Sequence, residues 1–357
     1  MLVVASEKGV FRLDDAGHTS EPLFVGEQVF AMAANGQRVA VALLKKGVRL
    51  SDDGGTTWQD VSSGLPHMDV RSLAFDPHDS SRLYAGTEPP AIARFDGQGW
   101  VTCGDLMRLP ESKDWSFPVR PRIPHVRAIT VSPSNPDVIY AVIEVGSFLI
   151  SRDGGQQWSV VSSLPGHDLH RTVIHPAKPG RLLVATGQDT GVYRGGFGVY
   201  LSEDDGQTWQ SANAGLAHRL YAEDAVAFHP ANPDVAFLAA ADGIPPHWAS
   251  VIGLATGLIS GNVYFLSPSR FRRRKGADIA IHRSFDGGKS WSLVPDPAQQ
   301  GLFDMVWALE TGMADNGQPA VYFGTTGGEI RMSSDNGETW RVIAQGLGAV
   351  THLHPLH

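Results

Sequence analysis

The sequence predicts an all-β fold, a seven-bladed β-propeller with four-stranded blades, closed where the C-terminal strand joins the N-terminal strands. Three observations predict it. A short motif ending in Trp recurs along the chain, a strand pattern repeats between its copies, and the two chain ends complement one another. Repeats of this kind indicate stacked units, because each unit can bury its apolar faces only against its neighbours.

The motif reads SDDGGTTW at 51–58, SRDGGQQW at 151–158, SEDDGQTW at 202–209, SFDGGKSW at 284–291 and SSDNGETW at 333–340. In each copy Asp precedes Trp by five residues (Asp53, Asp153, Asp204, Asp286, Asp335) and Gly precedes it by three. A shorter copy, RFDGQGW, lies at 94–100, and LDDAG at 13–17 is a degenerate seventh. Its chemistry is that of a turn: Ser and Asp bond backbone N–H groups, Gly takes positive φ, and Trp packs back under the sheet. These aspartates are therefore read as structural, and none is assigned to catalysis.

Between the motifs, VRSLAFDP at 70–77, VRAITVSP at 126–133, LHRTVIHP at 169–176 and EDAVAFHP at 223–230 are one strand written four times, with looser copies at 29–34, 304–310 and 349–355. A second strand follows each, such as LYAGTE at 83–88 or VIYAVIE at 138–144. The third leads into the motif and the fourth starts at its Trp, which makes a propeller blade. At the N-terminus, 1–6 reads as a second strand, 10–13 as a third and 21–24 as a fourth. Residues 349–355 supply the missing first strand, so that the ring has no free sheet edge. The whole of 1–357 is then one domain.

The composition is that of a folded globular chain, with 42% hydrophobic and 18% charged residues. A formal charge of -8 argues against a nucleic-acid partner, which needs a basic surface. A small-molecule or carbohydrate-like ligand fits better. Cys103 is the single cysteine, so intrachain disulfides and cysteine zinc sites are excluded. The first residues lack the basic and apolar regions of a signal peptide, and the expectation is a cytoplasmic protein.

First strands line the channel of a propeller, and the loops entering them share one face with the loops between second and third strands. At the channel position the aligned residues are Arg71, Arg127, His170 and Asp224; just before it stand His67, Asp69, His125, His167, Asp168, Tyr221, Glu223 and Asp304. Such ionisable groups converging on one axis make an acid-base, anion-binding or metal site, or a hydrated lining that offsets its own charge. His125, His170, Glu223 and Asp224 are the catalytic candidates. Two arginines would hold an anionic or polar group while His125 or His170 acts as base or as ligand of a divalent metal. Acids close the second strands at Glu7, Glu88, Glu144 and Asp242, and a carboxyl pair in a cleft is what glycoside hydrolysis uses.

Three segments break the repeat on the channel-mouth face: 104–124, 188–198 and 243–276. The last carries the uncharged run 248–266, beginning at Trp248, followed by the basic run 270–275. It reads as an apolar flap over the channel, with a membrane-dipping or partner-binding loop as the alternative.

The five-fold motif resembles the Asp-box, or BNR repeat. Relatives that the chain resembles include sialidases, xyloglucan-cleaving endoglucanases, sortilin-type receptors and photosystem II assembly factors. Sialidases have six blades and an arginine triad, and the Arg122-Ile-Pro124 wording here lies in the third repeat rather than at the start. The endoglucanases use two seven-bladed domains with a cleft between them. The assembly factors match in blade number and size and hold partners. The resemblance thus implies the propeller and leaves two readings open: a hydrolase or lyase acting at the channel mouth, or a non-catalytic interaction scaffold.

Overall fold

Successive strands of this chain are apolar on both faces, and the structure shows why. Along Ile139–Ile143 every residue is buried, with Ile139, Ala141 and Ile143 facing the preceding blade and Tyr140 and Val142 facing the following one. A strand with two covered faces must be apolar at every position. In the computed structural model, which describes residues 1–117, 120–165, 168–187, 198–242, 277–295 and 301–356, this pattern produces seven antiparallel sheets arranged in a ring.

Blades 1 to 7 begin with the first strands Val29–Asn35, Val70–Phe75, Val126–Val131, Leu169–His175, Val226–Phe228, Val306–Met313 and Val350–Pro355. Six blades have four strands. In blade 7, Val350–Pro355 pairs with Leu2–Ser6, setting Leu2 opposite Pro355 and Val4 opposite Leu353, and Gly9–Leu13 follows as the third strand. The fourth, expected at 21–24, is reduced to bridges: Val10 and Leu23 exchange backbone bonds of 2.8 and 2.7 Å, and Leu13 pairs with Thr19. The two chain ends therefore close the ring as the sequence implies.

Among the described residues no common core fills the centre. Buried apolar residues fall into seven clusters, each clamped between adjacent blades; Ala31, Ala40 and Leu50 of blade 1, for instance, meet Leu73, Leu83 and Phe95 of blade 2. Leu2, Val4, Tyr322, Ile330, Val350 and Leu353 form the cluster between blades 6 and 7.

The five Ser-Asp turns share one hydrogen-bond pattern. At the second copy Ser151 Oγ donates to Asp153 Oδ1 at 2.8 Å and accepts from Gly155 N at 2.8 Å, while Asp153 Oδ1 also accepts from Gln156 N and Gln157 N at 3.0 and 2.9 Å. Gly155 has φ +89°, open to glycine and costly for other residues. The carboxylate is consumed by its own turn, so the structural reading of these aspartates agrees with the geometry.

One irregularity positions the site. In blades 1, 2, 3, 4, 6 and 7 the pairing of first and second strands slips by one residue near the start, leaving Phe30, Arg71, Arg127, His170, Trp307 and Thr351 outside the ladder. A bulge of this kind re-aims the unpaired side chain. Blade 5 does the same with a longer bulge at 222–224 that includes Asp224, with Glu223 at φ +34° and Ala225 N bonded to Ala222 O. Each blade thus delivers one side chain to the axis. Among the described residues no helix is long and apolar enough to cross a membrane.

Candidate functional site at the channel mouth

The seven bulge residues form a constriction, and every one of them borders both spaces that it separates. Below lies a channel of about 280 Å³, lined also by Arg171, Glu310, His352 and His354. Above lies a cup of about 200 Å³, lined also by Gln28, Phe117, His125, Glu144 and Glu223. The alignment of Arg71, Arg127, His170 and Asp224 thus corresponds to one ring in space. Phe30 and Trp307, which complete the ring's apolar side, occupy the same place in the looser copies at 29–34 and 304–310 and were legible there.

Two further rows sit above the ring and fix its partners. The residue just before each first strand and the one just after each second strand face each other through backbone bonds: Glu88 N to Asp69 O at 2.8 Å, Glu144 N to His125 O at 3.4 Å, and Gly187 N to Asp168 O at 2.8 Å. The ionisable groups then join hands from blade to blade. Arg71 lies 2.9 Å from Asp69 and 3.0 Å from Glu88; His125 Nδ1 is 3.4 Å from Glu88 and its Nε2 is 2.7 Å from Glu144. Arg127 Nε is 3.3 Å from Glu144, and its Nη2 pairs with Asp224. His170 Nε2 is 3.3 Å from Asp168 Oδ1, and its Nδ1 is 3.9 Å from Asp224 Oδ1. Both arginines expected to grip an anion are therefore already held by carboxylates of the wall.

This network sets the protonation states. Burial disfavours a charged His170, but the hydrogen bond and charge of Asp168, with the charge of Glu144, override it and push the imidazole up to about 9. His125 is raised in the same way: burial opposes its charge, and Glu144 outweighs it. Glu144 is held well below the usual carboxylate range despite its burial, chiefly by His125. Glu223 goes the other way. Burial pushes it up to about 7, against the pull of His170, with the charge of Asp224 adding to the rise and a hydrogen bond from Tyr221 lowering it. The cup thus holds Glu223, which keeps a proton near neutral pH, beside Glu144, which does not.

The remaining expected residues separate from this cup. His67 is exposed, and Asp304 lies against Gly327. Asp242 bonds Ala277 O through its backbone, and Glu7 accepts from Ala349 N at 3.3 Å, so these two acids border neither cup nor channel among the described residues. Tyr221 enters through Glu223. Of the two histidines offered as base or metal ligand, His170 joins a cluster of carboxylates and His125 stands apart from it. Both His125 nitrogens face Glu88 and Glu144, and the groups that come within 4.8 Å of one another are Glu144, Asp168 and His170. The 104–124 loop does reach the mouth, with Phe117 against the His125 ring at 4.9 Å and Trp115 bonded to Ser147 at 2.9 Å. His167, Trp248, the flap and basic run of 243–276 with their expected membrane or partner contact, and 188–197 lie outside the described residues.

No protein-family profile matches the chain. A xyloglucanase of Paenibacillus sp. is 22% identical over 321 residues, spanning 84% of this chain and 27% of that enzyme, so the chain covers about a quarter of this curated relative's length. Among solved structures, an ancestral GH74 enzyme superposes with a TM-score of 0.60 at 16% identity, over 96% of this chain and 40% of that one. YCF48 bound to a D1 peptide superposes at 0.55 with 17% identity, over 88% of this chain and 82% of that one. What these likenesses establish is the architecture alone: the chain's seven-bladed propeller superposes on the folds of those solved structures.

Proposed function

We propose that the protein binds a small, sugar-like polar ligand in the cup at the channel mouth and acts on it as a hydrolase or lyase. The observation that carries this reading is the make-up of one cup. Phe30, Phe117 and Trp307 stand beside Glu144, Glu223 and Asp224 in about 200 Å³. Aromatic faces cover the C–H side of a sugar ring while carboxylates take its hydroxyls, and a space this small selects a short ligand. Glu223 is suited to general-acid work because it keeps its proton near neutral pH, and ionised Glu144 in the same cup supplies the opposite role. The xyloglucanase likeness supports a carbohydrate ligand, and the five Ser-Asp turns support a place among Asp-box propellers.

A second reading, a scaffold that holds an extended peptide, is favoured by the match to YCF48, which covers most of both chains. Calorimetry with xyloglucan-derived mono- and oligosaccharides, paired with a product assay, separates the two. Trp307→Ala is expected to weaken sugar binding by about tenfold. Glu223→Gln is expected to keep binding and to lose turnover by roughly 100-fold or more. Absence of any sugar binding, or a Trp307→Ala protein that binds as the wild type does, would overturn the proposal; peptide binding on the same face would install the scaffold reading.

A further inference from the structure

We infer that Glu144, Asp168 and His170 form a site for one divalent transition-metal ion in the wall of the cup. Their ligand atoms already lie within 4.8 Å of one another. The backbone holds them there. Leu169 N donates to Glu144 O at 2.7 Å, Val145 bridges Asp168, and the blade 4 bulge turns His170 inward.

The second observation is a glycine. Blades 2 and 3 close their second strands with Glu88 and Glu144, whereas blade 4 has Gly187 at the equivalent place. A Cβ on Gly187 would stand 2.2 Å from Asp168 Oδ2 and 2.8 Å from His170 Nε2. Its φ is not in the left-handed region, so no turn demands glycine here; the space in front of the two side chains does.

His170 supplies the third. It is 5% exposed, and its Nδ1 has no hydrogen-bond partner among the described residues. Nε2 faces the cluster, 3.3 Å from Asp168, while Nδ1 faces Asp224 at 3.9 Å. An ion on Nε2 displaces the proton of that nitrogen to solvent and leaves the Nδ1 proton directed towards Asp224, 3.9 Å away, on the side where a carboxylate orients most metal-bound histidines. Glu144 is steadied likewise, since His125 and Arg127 both reach its Oε2. One imidazole and two carboxylates suit Zn²⁺, Mn²⁺, Fe²⁺ or Co²⁺, and three protein ligands leave coordination positions open. Glu144 and His170 both border the cup, so those positions face the ligand space. The placing of the ion beside a substrate rests on the function proposed above; the binding of the ion does not.

The test uses the full chain stripped with a chelator, titrated with Zn²⁺ and Mn²⁺ by calorimetry and with Co²⁺ by visible absorption. One ion per chain is expected. Asp168→Asn, nearly isosteric, and His170→Ala are each expected to weaken it by about 100-fold or more, and His125→Gln by about 10- to 100-fold through Glu144. Gly187→Ala, which keeps all three ligand residues but crowds Asp168 and His170, should weaken it too, while His78→Gln on the far side should not. Circular dichroism checks that each variant is folded. A protein that binds no ion, or one whose ion survives both Asp168→Asn and His170→Ala, would show that the cluster is an imidazolium held between two carboxylates and overturn the inference. Sugar binding is measured separately on the stripped protein: a protein that binds sugar but takes up no metal in the titration refutes this site alone, and one that takes up metal but binds no sugar refutes the proposed function alone.

Discussion

Closure of the ring by the C-terminal strand makes Leu353 a sensitive probe. It is 1% exposed and packs with Leu2 and Val4 from the N-terminus and with Tyr322 and Ile330 from blade 6. Leu353→Ala removes three buried carbons, a transfer loss of about 2.5 kcal/mol at ~0.8 kcal/mol each. A residual void of roughly 60 Å³ at ~24 cal/mol per Å³ adds about 1.5 kcal/mol. The sum, about 4 kcal/mol, lies in the usual range of about 2–5 kcal/mol for such changes. Urea unfolding at neutral pH, followed by tryptophan fluorescence, reads it as a lower midpoint with an unchanged slope. Val342→Ala is the control, because Val342 is 40% exposed on a blade's outer strand; its cost should stay within about 0.5 kcal/mol. If Leu353→Ala costs less than about 1 kcal/mol, or the control costs as much, the seam is not carrying the ring in the way argued.

Two further outcomes are expected. Ser151→Ala strips the buried Gly155 N–H of its acceptor and should cost about 1–3 kcal/mol by denaturant unfolding, with sugar and metal binding per folded molecule unchanged; lost binding in a folded variant would place function in the turn. His282 is buried and held down to about 4, first by burial and then by the charge of Arg219. The unfolded chain therefore takes up its proton first, so stability attributable to neutral His282 is present above about pH 6.5, falls as pH drops towards 4 and is constant below, about 3 kcal/mol in all. His282→Asn should flatten the wild-type pH profile by one proton in that window, and parallel profiles would refute the assignment.

The propeller was legible because its determinants are local and repeated. A Ser-Asp turn needs its own eight residues, and a strand covered on both faces announces itself by an unbroken apolar run, as at Ile139–Ile143. The ring of Arg71, Arg127, His170 and Asp224 was legible for the same reason, since register carries alignment into space. Partner choice was not. That Arg127 would spend itself on Glu144 and Asp224, or that His125 would turn to Glu144, depends on rotamers that sequence alignment of one blade with another does not carry. The fourth strand expected at 21–24 fell short because its pairing is scattered over Val10 with Leu23, Leu13 with Thr19 and Arg12 with Ser20 rather than forming a ladder.

The bulge near the start of each first strand has a consequence for how such a molecule can change. The unpaired residue belongs neither to the ladder nor, at Phe30, Arg71, Arg127, His170 or Thr351, to any of the apolar clusters between blades. Substituting it leaves the pleat alternation of its neighbours intact, because the slip has already absorbed the register. These five positions, on blades 1, 2, 3, 4 and 7, can therefore be rewritten as a set, from a charged collar to an apolar gate, while the load borne by the interfaces stays where it was. Selection acting on what passes or binds at the axis is uncoupled from selection for a closed ring.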